Sequence, residues 1–177
     1  VLQIKGDTGN RQSTDAAAGL EVLQKIPLFR HLDYKEQTLI LSISTTKTFP
    51  AGTEIVREGG LPDSLYVIVR GHVEILKGKR PISELRSGGH FGEMGFVEEA
   101  PRSATVRARE DTTTLVLARY DVVDVMRRDP VLAVKLLWAF VGVLSQRLRH
   151  ADEEIAELRG DFDEGLAKAL IPFLRSS

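Results

Sequence analysis

From Thr46 to Ala118 apolar and polar residues alternate in short runs, and on either side of that stretch apolar residues recur at helical spacing. The alternating runs, 46–49, 53–57, 65–70, 72–77, 82–85, 104–109 and 113–118, are rich in β-branched residues. Turn-forming clusters such as Pro50-Ala51-Gly52, Gly59-Gly60-Leu61-Pro62-Asp63 and Arg70-Gly71-His72 separate them. Short strands so punctuated predict a small sandwich or jelly-roll barrel. Ahead of them, Asp15 is the expected N-cap of a helix from about Ala16 to Lys25 that Pro27 ends. Asp33 and Glu36 then have capping-box spacing before the apolar stripe Leu39, Ile40, Ile43. After the strands the pattern predicts a short helix over Tyr120–Arg127. A long one follows from Asp129-Pro130, with Pro at its first position, and is expected to stop at Gly160. At 1.5 Å per residue that rod is roughly 45 Å long.

Within the long helix, Val134, Leu137, Val141, Leu144, Leu148, Ala151, Ile155 and Leu158 recur in alternating steps of three and four. Val134, Val141, Leu148 and Ile155 fall at heptad position a, and Leu137, Leu144, Ala151 and Leu158 at d. β-branched residues at a with Leu at d favour two parallel strands. In that register Arg147 at g faces Asp152 at e of a partner, and Glu154 faces Arg159, so charge agrees with the apolar pattern. The expected partner is a second copy, in a parallel homodimer through residues 130–159. Near the start of the helix, Leu136, Trp138, Ala139 and Phe140 leave few polar faces, and part of that surface is expected to pack on the chain's own core.

The fold class expected is therefore mainly β with flanking α: a jelly-roll (double-stranded β-helix) barrel, N-terminal helices and a long C-terminal dimerisation helix. The expected divisions are a polar leader at 1–14, the β-roll with its helices at 15–128, the long helix at 129–160 and a short amphipathic segment at 161–177. That last segment, with Phe162, Leu166, Ala169, Leu170 and Phe173, is too short for a winged helix, so no nucleic-acid reading is expected from this chain alone. The chain begins with Val, as a piece processed or excised from a longer protein would.

Composition narrows the function classes. The chain has 177 residues, 42% hydrophobic and 28% charged, which is ordinary for a globular domain and excludes wholesale disorder. A formal net charge of -1 gives no broad basic footprint for nucleic acid or anionic membranes. Without cysteine there is neither a disulfide framework nor a thiolate metal site, and the expected location is a reducing cytoplasm. The longest uninterrupted apolar run, Leu136 to Leu144, falls short of the ~20 residues that cross a bilayer, so no membrane partner is expected of this chain alone.

The most chemically specific stretch is Phe91 to Val106, Phe-Gly-Glu-Met-Gly-Phe-Val-Glu-Glu-Ala-Pro-Arg-Ser-Ala-Thr-Val. It sets the carboxylate of Glu93, just after Gly92, and one guanidinium, Arg102, on a glycine-punctuated loop that runs into a strand. A carboxylate accepts hydrogen bonds from sugar hydroxyls, and the planar guanidinium fork matches an anionic phosphate. Gly92 and Gly95 let the backbone turn close to a ligand, while Ser103 and Ala104 add a hydroxyl and a main-chain N–H beside the same anion.

This stretch resembles the phosphate-binding cassette of the cyclic nucleotide-binding domain family. The resemblance continues upstream through Ile26-Pro27-Leu28-Phe29, Phe49-Pro50-Ala51-Gly52 and Leu65-Tyr66-Val67-Ile68-Val69-Arg70-Gly71, covering roughly Leu20 to Leu158. It implies that Glu93 binds the ribose and Arg102 the phosphate, with Gly92, Met94, Ser103 and Ala104 completing the cradle. It implies a ligand-binding sensor rather than an enzyme, with cyclic nucleotide as ligand and no further cofactor. The long helix is the expected lid, coupled to ligand binding, and bacterial members dimerise through the equivalent helix. Ser103 after Arg102 points to cAMP over cGMP, because cGMP-selective kinase sites of the family tend to have Thr there. The Thr-Ser pair that contacts the purine in bacterial members is absent: two alignments put it on Arg147-Leu148 or on Ala151-Asp152. Arg147, His150 and Asp152 are the resulting candidates for base contacts.

Two other classes compete with this reading. A ligand-free dimerisation scaffold would use the barrel and coil alone. A cupin-type metal enzyme would need clustered ligands, whereas His31, His72, His90 and His150 are scattered singly. On the sensor reading, Arg102→Ala is expected to abolish nucleotide binding with the fold intact.

Overall fold

The computed structural model describes residues 20–21 and 23–174, and the chain divides into two compact units, Val1–Phe140 and Val141–Ser177. In the first unit residues 23–25 are helical, as expected; the Asp15 cap and the leader lie outside the described residues. Helix α1 (Tyr34–Ser42) starts on the capping box read from sequence: Asp33 Oδ1 accepts from Glu36 N at 2.9 Å and Glu36 Oε2 accepts from Asp33 N at 2.7 Å. The Glu36 carboxylate also accepts from Lys135 Nζ at 2.6 and 2.8 Å, and this bond holds the Lys135 ammonium above its ordinary value.

Eight strands follow: β1 (Ser44–Phe49), β2 (Glu54–Val56), β3 (Ser64–Arg70), β4 (His72–Lys77), β5 (Arg80–Arg86), β6 (His90–Phe91), β7 (Thr105–Ala108) and β8 (Thr112–Ala118). They form two antiparallel four-stranded sheets, ordered β1-β8-β3-β6 and β2-β7-β4-β5. Ile68 and Phe91 of the first sheet pack with Val73 and Val106 of the second, so the core lies between the sheets in a jelly-roll-like arrangement with flanking helices. Each of the seven alternating runs is a strand, displaced at its ends by two residues at most.

Two elements differ from expectation. Residues His90–Phe91 pair with Val67 and Tyr66 as strand β6, and Glu93–Glu98, expected as loop, form a short helix, α2. Neither has enough residues to display a period. Helix α3 spans Arg119–Arg128, and α4 spans Pro130–Leu174 without a break at Gly160. A glycine inside a helix costs about 1 kcal/mol, which is not by itself a stop. In the first unit Leu132, Leu136 and Phe140 form the buried stripe of α4, while Val134 and Leu137 are half exposed. By length and composition alone Pro130–Arg159 is long and apolar enough to cross a membrane, although the uninterrupted run is short. Its inner stripe is nonetheless already covered by protein. The second unit is the rest of α4, where Val141, Leu148, Ala151, Ile155 and Leu158 are all exposed.

Candidate functional site

The site is built where strand β6 ends. Tyr66 opposite Phe91 in the β3–β6 ladder stacks the two rings at 4.9 Å with planes 4° apart. One residue later the chain turns at Gly92, whose φ of 92° is left-handed and open to glycine at little cost. A β-carbon there would come within 2.6 Å of Arg102 Nη1 and 2.8 Å of the Ser64 carbonyl, so the position is closed to side chains for two reasons. Gly95, one turn on, lets α2 settle against the β2–β3 loop: a β-carbon there would meet Pro62 Cβ at 2.7 Å. Glu99 closes α2 in a left-handed conformation, and its carboxylate pairs with Arg119 at the head of α3.

Glu93, the first residue of α2, is only 1% exposed, and Arg102 is 5% exposed. Neither is a surface charge. Arg102 Nε donates to the Leu61 carbonyl at 3.1 Å, Nη1 to the Gly92 carbonyl at 3.1 Å, and Nη2 to the Ser64 carbonyl at 2.7 Å. Nη2 also meets Asp63 Oδ1 at 3.2 Å, and the guanidinium carbon lies 5.9 Å from the centre of the Tyr66 ring. Burial pushes the Tyr66 hydroxyl above its ordinary value; the Asp63 charge adds to that and the Arg102 charge opposes it. Three of the four partners of this buried guanidinium are neutral carbonyls, and the one carboxylate, Asp63, is largely exposed to solvent. A positive charge so held is suited to an anion.

The backbone around Arg102 is equally fixed. Gly59 N donates to the Arg102 carbonyl at 2.9 Å and Arg102 N to the Gly60 carbonyl at 3.0 Å. Ser103 Oγ points at Met94 Sδ, 3.8 Å away, a weak acceptor that a phosphate oxygen would readily replace.

Thus the first unit brings together Gly92, Glu93, Met94, Arg102, Ser103 and Ala104 on one contiguous cassette. Arg147, His150 and Asp152 belong to the second unit, where Arg147 is half-buried and the other two are exposed. His150 lies 3.8 Å from Glu153 and 3.4 Å from Glu154. Sequence reading missed Asp63 and Tyr66. In sequence Asp63 belongs to a turn and Tyr66 to a strand, and only the fold brings Arg102 to both. Among the described residues no cluster of three His, Asp or Glu is suited to a metal ion, so the cupin alternative gains no support there.

Residues 46–129 match the family described as the cyclic nucleotide-binding domain. The chain is 36% identical over 157 residues to the cyclic AMP receptor protein of Thermus thermophilus, a match covering 84% of this chain and 70% of that one. It is 31% identical over 120 residues to the cAMP-dependent protein kinase regulatory subunit of Schizosaccharomyces pombe, covering 62% of this chain but only 28% of that protein. Among solved structures, a cyclic nucleotide-binding domain from Methylobacillus flagellatus superposes with a TM-score of 0.71 at 27% identity, over 80% of this chain and 83% of that one. With Glu93 and Arg102 both buried on an intact cassette and a relative 36% identical over 70% of its length, the chain belongs to the cyclic nucleotide-binding domain family.

Proposed function

We propose that this chain is a cytoplasmic cAMP-binding regulatory module in which Glu93 takes the ribose hydroxyls and Arg102 the cyclic phosphate. Gly92, Met94, Ser103 and Ala104 complete the cradle. The observation that carries this reading is the burial of Arg102 against the Gly92 turn, directly before the buried Glu93. A surface ion pair would not need glycine there. A few charge-assisted hydrogen bonds at about 1.5–3 kcal/mol each, with some base burial, suffice for the roughly 8 kcal/mol of a micromolar site. No bond is broken, so no general base is required. The preference for cAMP over cGMP rests on Ser103 and on the similarity to a cyclic AMP receptor protein and a cAMP-dependent protein kinase regulatory subunit.

The reading extends to α4. Its exposed a and d residues support a parallel homodimer, and ligand binding is proposed to change the geometry of that helix pair. A ligand shifts such an equilibrium only by its differential affinity for the two states. Arg147, His150 and Asp152 remain the proposed base contacts.

One observation favours the ligand-free scaffold as a second reading: the Arg102 fork is already engaged by Leu61, Gly92, Ser64 and Asp63. Calorimetric titration and thermal unfolding with cAMP and with cGMP separate the two. A sensor at a hundred times its dissociation constant gains about 2.7 kcal/mol of stability. A chain that shows neither heat nor stabilisation with either nucleotide is a scaffold.

A further inference from the structure

Strand β4 pairs with β7 as far as Leu76 opposite Thr105, and there the ladder ends. Lys77 is the next residue of β4, and continuing the register would set it opposite Ala104. Its side chain takes over where the backbone ladder stops: Nζ donates to the Ser103 carbonyl at 2.7 Å. The same ammonium meets Glu58 Oε1 at 2.7 Å, and Glu58 Oε2 accepts from Gly78 N at 2.8 Å. Glu58 is tied back to the cassette strand through its own N–H, which donates to Thr105 Oγ1 at 3.0 Å. Glu58 and Lys77 thus bridge the β2–β3 loop, the end of β4 and the cassette. The hydrogen bond from Lys77, then the Gly78 N–H, hold the Glu58 carboxyl below its ordinary value, as expected of a formed pair.

The consequence lies in the peptide plane. A trans peptide points its carbonyl and its N–H in opposite directions, and the described chain has no cis bonds. Fixing the Ser103 carbonyl on Lys77 therefore fixes the Ala104 N–H on the opposite side. We propose that Lys77, held by Glu58, is a positioning residue for the anion cradle: it orients the Ser103–Ala104 peptide so that the Ala104 N–H faces the phosphate. This rests on the nucleotide-binding reading above. The ammonium also polarises that peptide, which makes its N–H a better donor to an anion. Lys77 and Glu58 are both solvent-accessible, so the pair itself adds little to folding stability. Its role shows in ligand affinity.

The test compares wild type with Lys77→Met, Lys77→Arg and Glu58→Gln by calorimetry with cAMP, thermal unfolding, and the amide nitrogen–proton resonance of Ala104. In wild type, cAMP is expected to move the Ala104 amide strongly, as a charge-assisted hydrogen bond forms. Lys77→Met should weaken cAMP binding roughly three- to tenfold, the worth of one positioned hydrogen bond, and diminish that resonance shift. Its melting temperature should change by less than about 4 °C. Lys77→Arg should restore most of the affinity, and Glu58→Gln should fall between. The proposal is overturned if wild type binds cAMP and Lys77→Met binds it equally well with the same Ala104 shift. It is also overturned if the affinity loss comes with a matching collapse in melting temperature. A wild type that binds neither cAMP nor cGMP sinks the nucleotide-binding reading itself, and the clamp's role with it.

Discussion

Arg102 occupies the space that a side chain on Gly92 would need. Its Nη1 atom sits 2.6 Å from the position of a β-carbon on that glycine and donates to the glycine's own carbonyl. Backbone conformation and guanidinium placement are thus one constraint. Gly92→Ala should cost about 1–3 kcal/mol through its left-handed backbone and displace Arg102 as well, weakening cAMP binding at least about tenfold. Gly52→Ala is the matched control: its φ is 83°, with nothing within 4 Å of a new β-carbon, so it should show the backbone cost alone with affinity kept. Thermal unfolding and calorimetry on both variants check this; equal affinity losses would mean that the clash at Gly92 is irrelevant.

Arg102 braces the fold as well as the site. Three backbone carbonyls, of Leu61, Gly92 and Ser64, and the Asp63 carboxylate converge on it. Sequence reading expects Arg102→Ala to leave the fold intact, and this network argues otherwise. Removing a buried charged donor from several acceptors costs on the order of 3–5 kcal/mol, in addition to abolishing cAMP binding. Arg102→Lys keeps the charge and loses the fork, so it should unfold at an intermediate temperature and still bind weakly. An Arg102→Ala protein melting like wild type would refute the bracing role.

The contrast between Glu93 and Asp63 explains what was legible in sequence. Glu93, Arg102 and their glycines stand on one contiguous segment, so spacing alone exposes their chemistry. Asp63 meets Arg102 from 39 residues away, on a loop whose Gly59 and Gly60 form backbone hydrogen bonds with Arg102, and no local pattern encodes that. The strands were legible because Gly and Pro punctuate a period of two. Helix α2 was not, since its six residues include Gly95 and are too few to repeat. Gly160 misled for the opposite reason: a residue common at helix ends is also tolerated inside a helix when the flanking residues favour one.

Glu74 offers a pH dependence with a definite sign. It is buried on β4, and Arg107 at 2.7 Å and Arg109 at 3.1 Å converge on its two oxygens. The Arg107 hydrogen bond, against the opposing effect of burial and with help from Arg109, lowers the carboxyl below its ordinary 4.5. A lowered value in the folded state means stability that is present above about 4.5 and is lost as pH falls through the native value. Wild type should therefore exceed Glu74→Gln in melting temperature near neutral pH, with the difference closing in acid. A difference that is constant from neutral to strongly acidic pH would contradict the ion-pair origin.

Helix α4 carries two apolar stripes, and only one is covered. Leu132, Leu136 and Phe140 are buried in the first unit, whereas Val134, Leu137, Val141, Leu148, Ile155 and Leu158 are each at least 50% exposed. The exposed set follows the a and d seam, with Leu144 half-buried within it, and a second copy of the helix would satisfy it in one register. The two stripes make opposite predictions. Leu148→Glu with Ile155→Glu places charges on the seam and should convert a dimer to a monomer, with the residues of the sheet core untouched. Leu136→Ala should leave association intact while costing about 2–5 kcal/mol of stability, because it opens a cavity in the buried stripe. Sedimentation velocity across a concentration series, paired with thermal unfolding, reads both. A wild type that sediments as a monomer at every concentration, or a doubly charged variant that still dimerises, would show that the heptad seam has a different occupant.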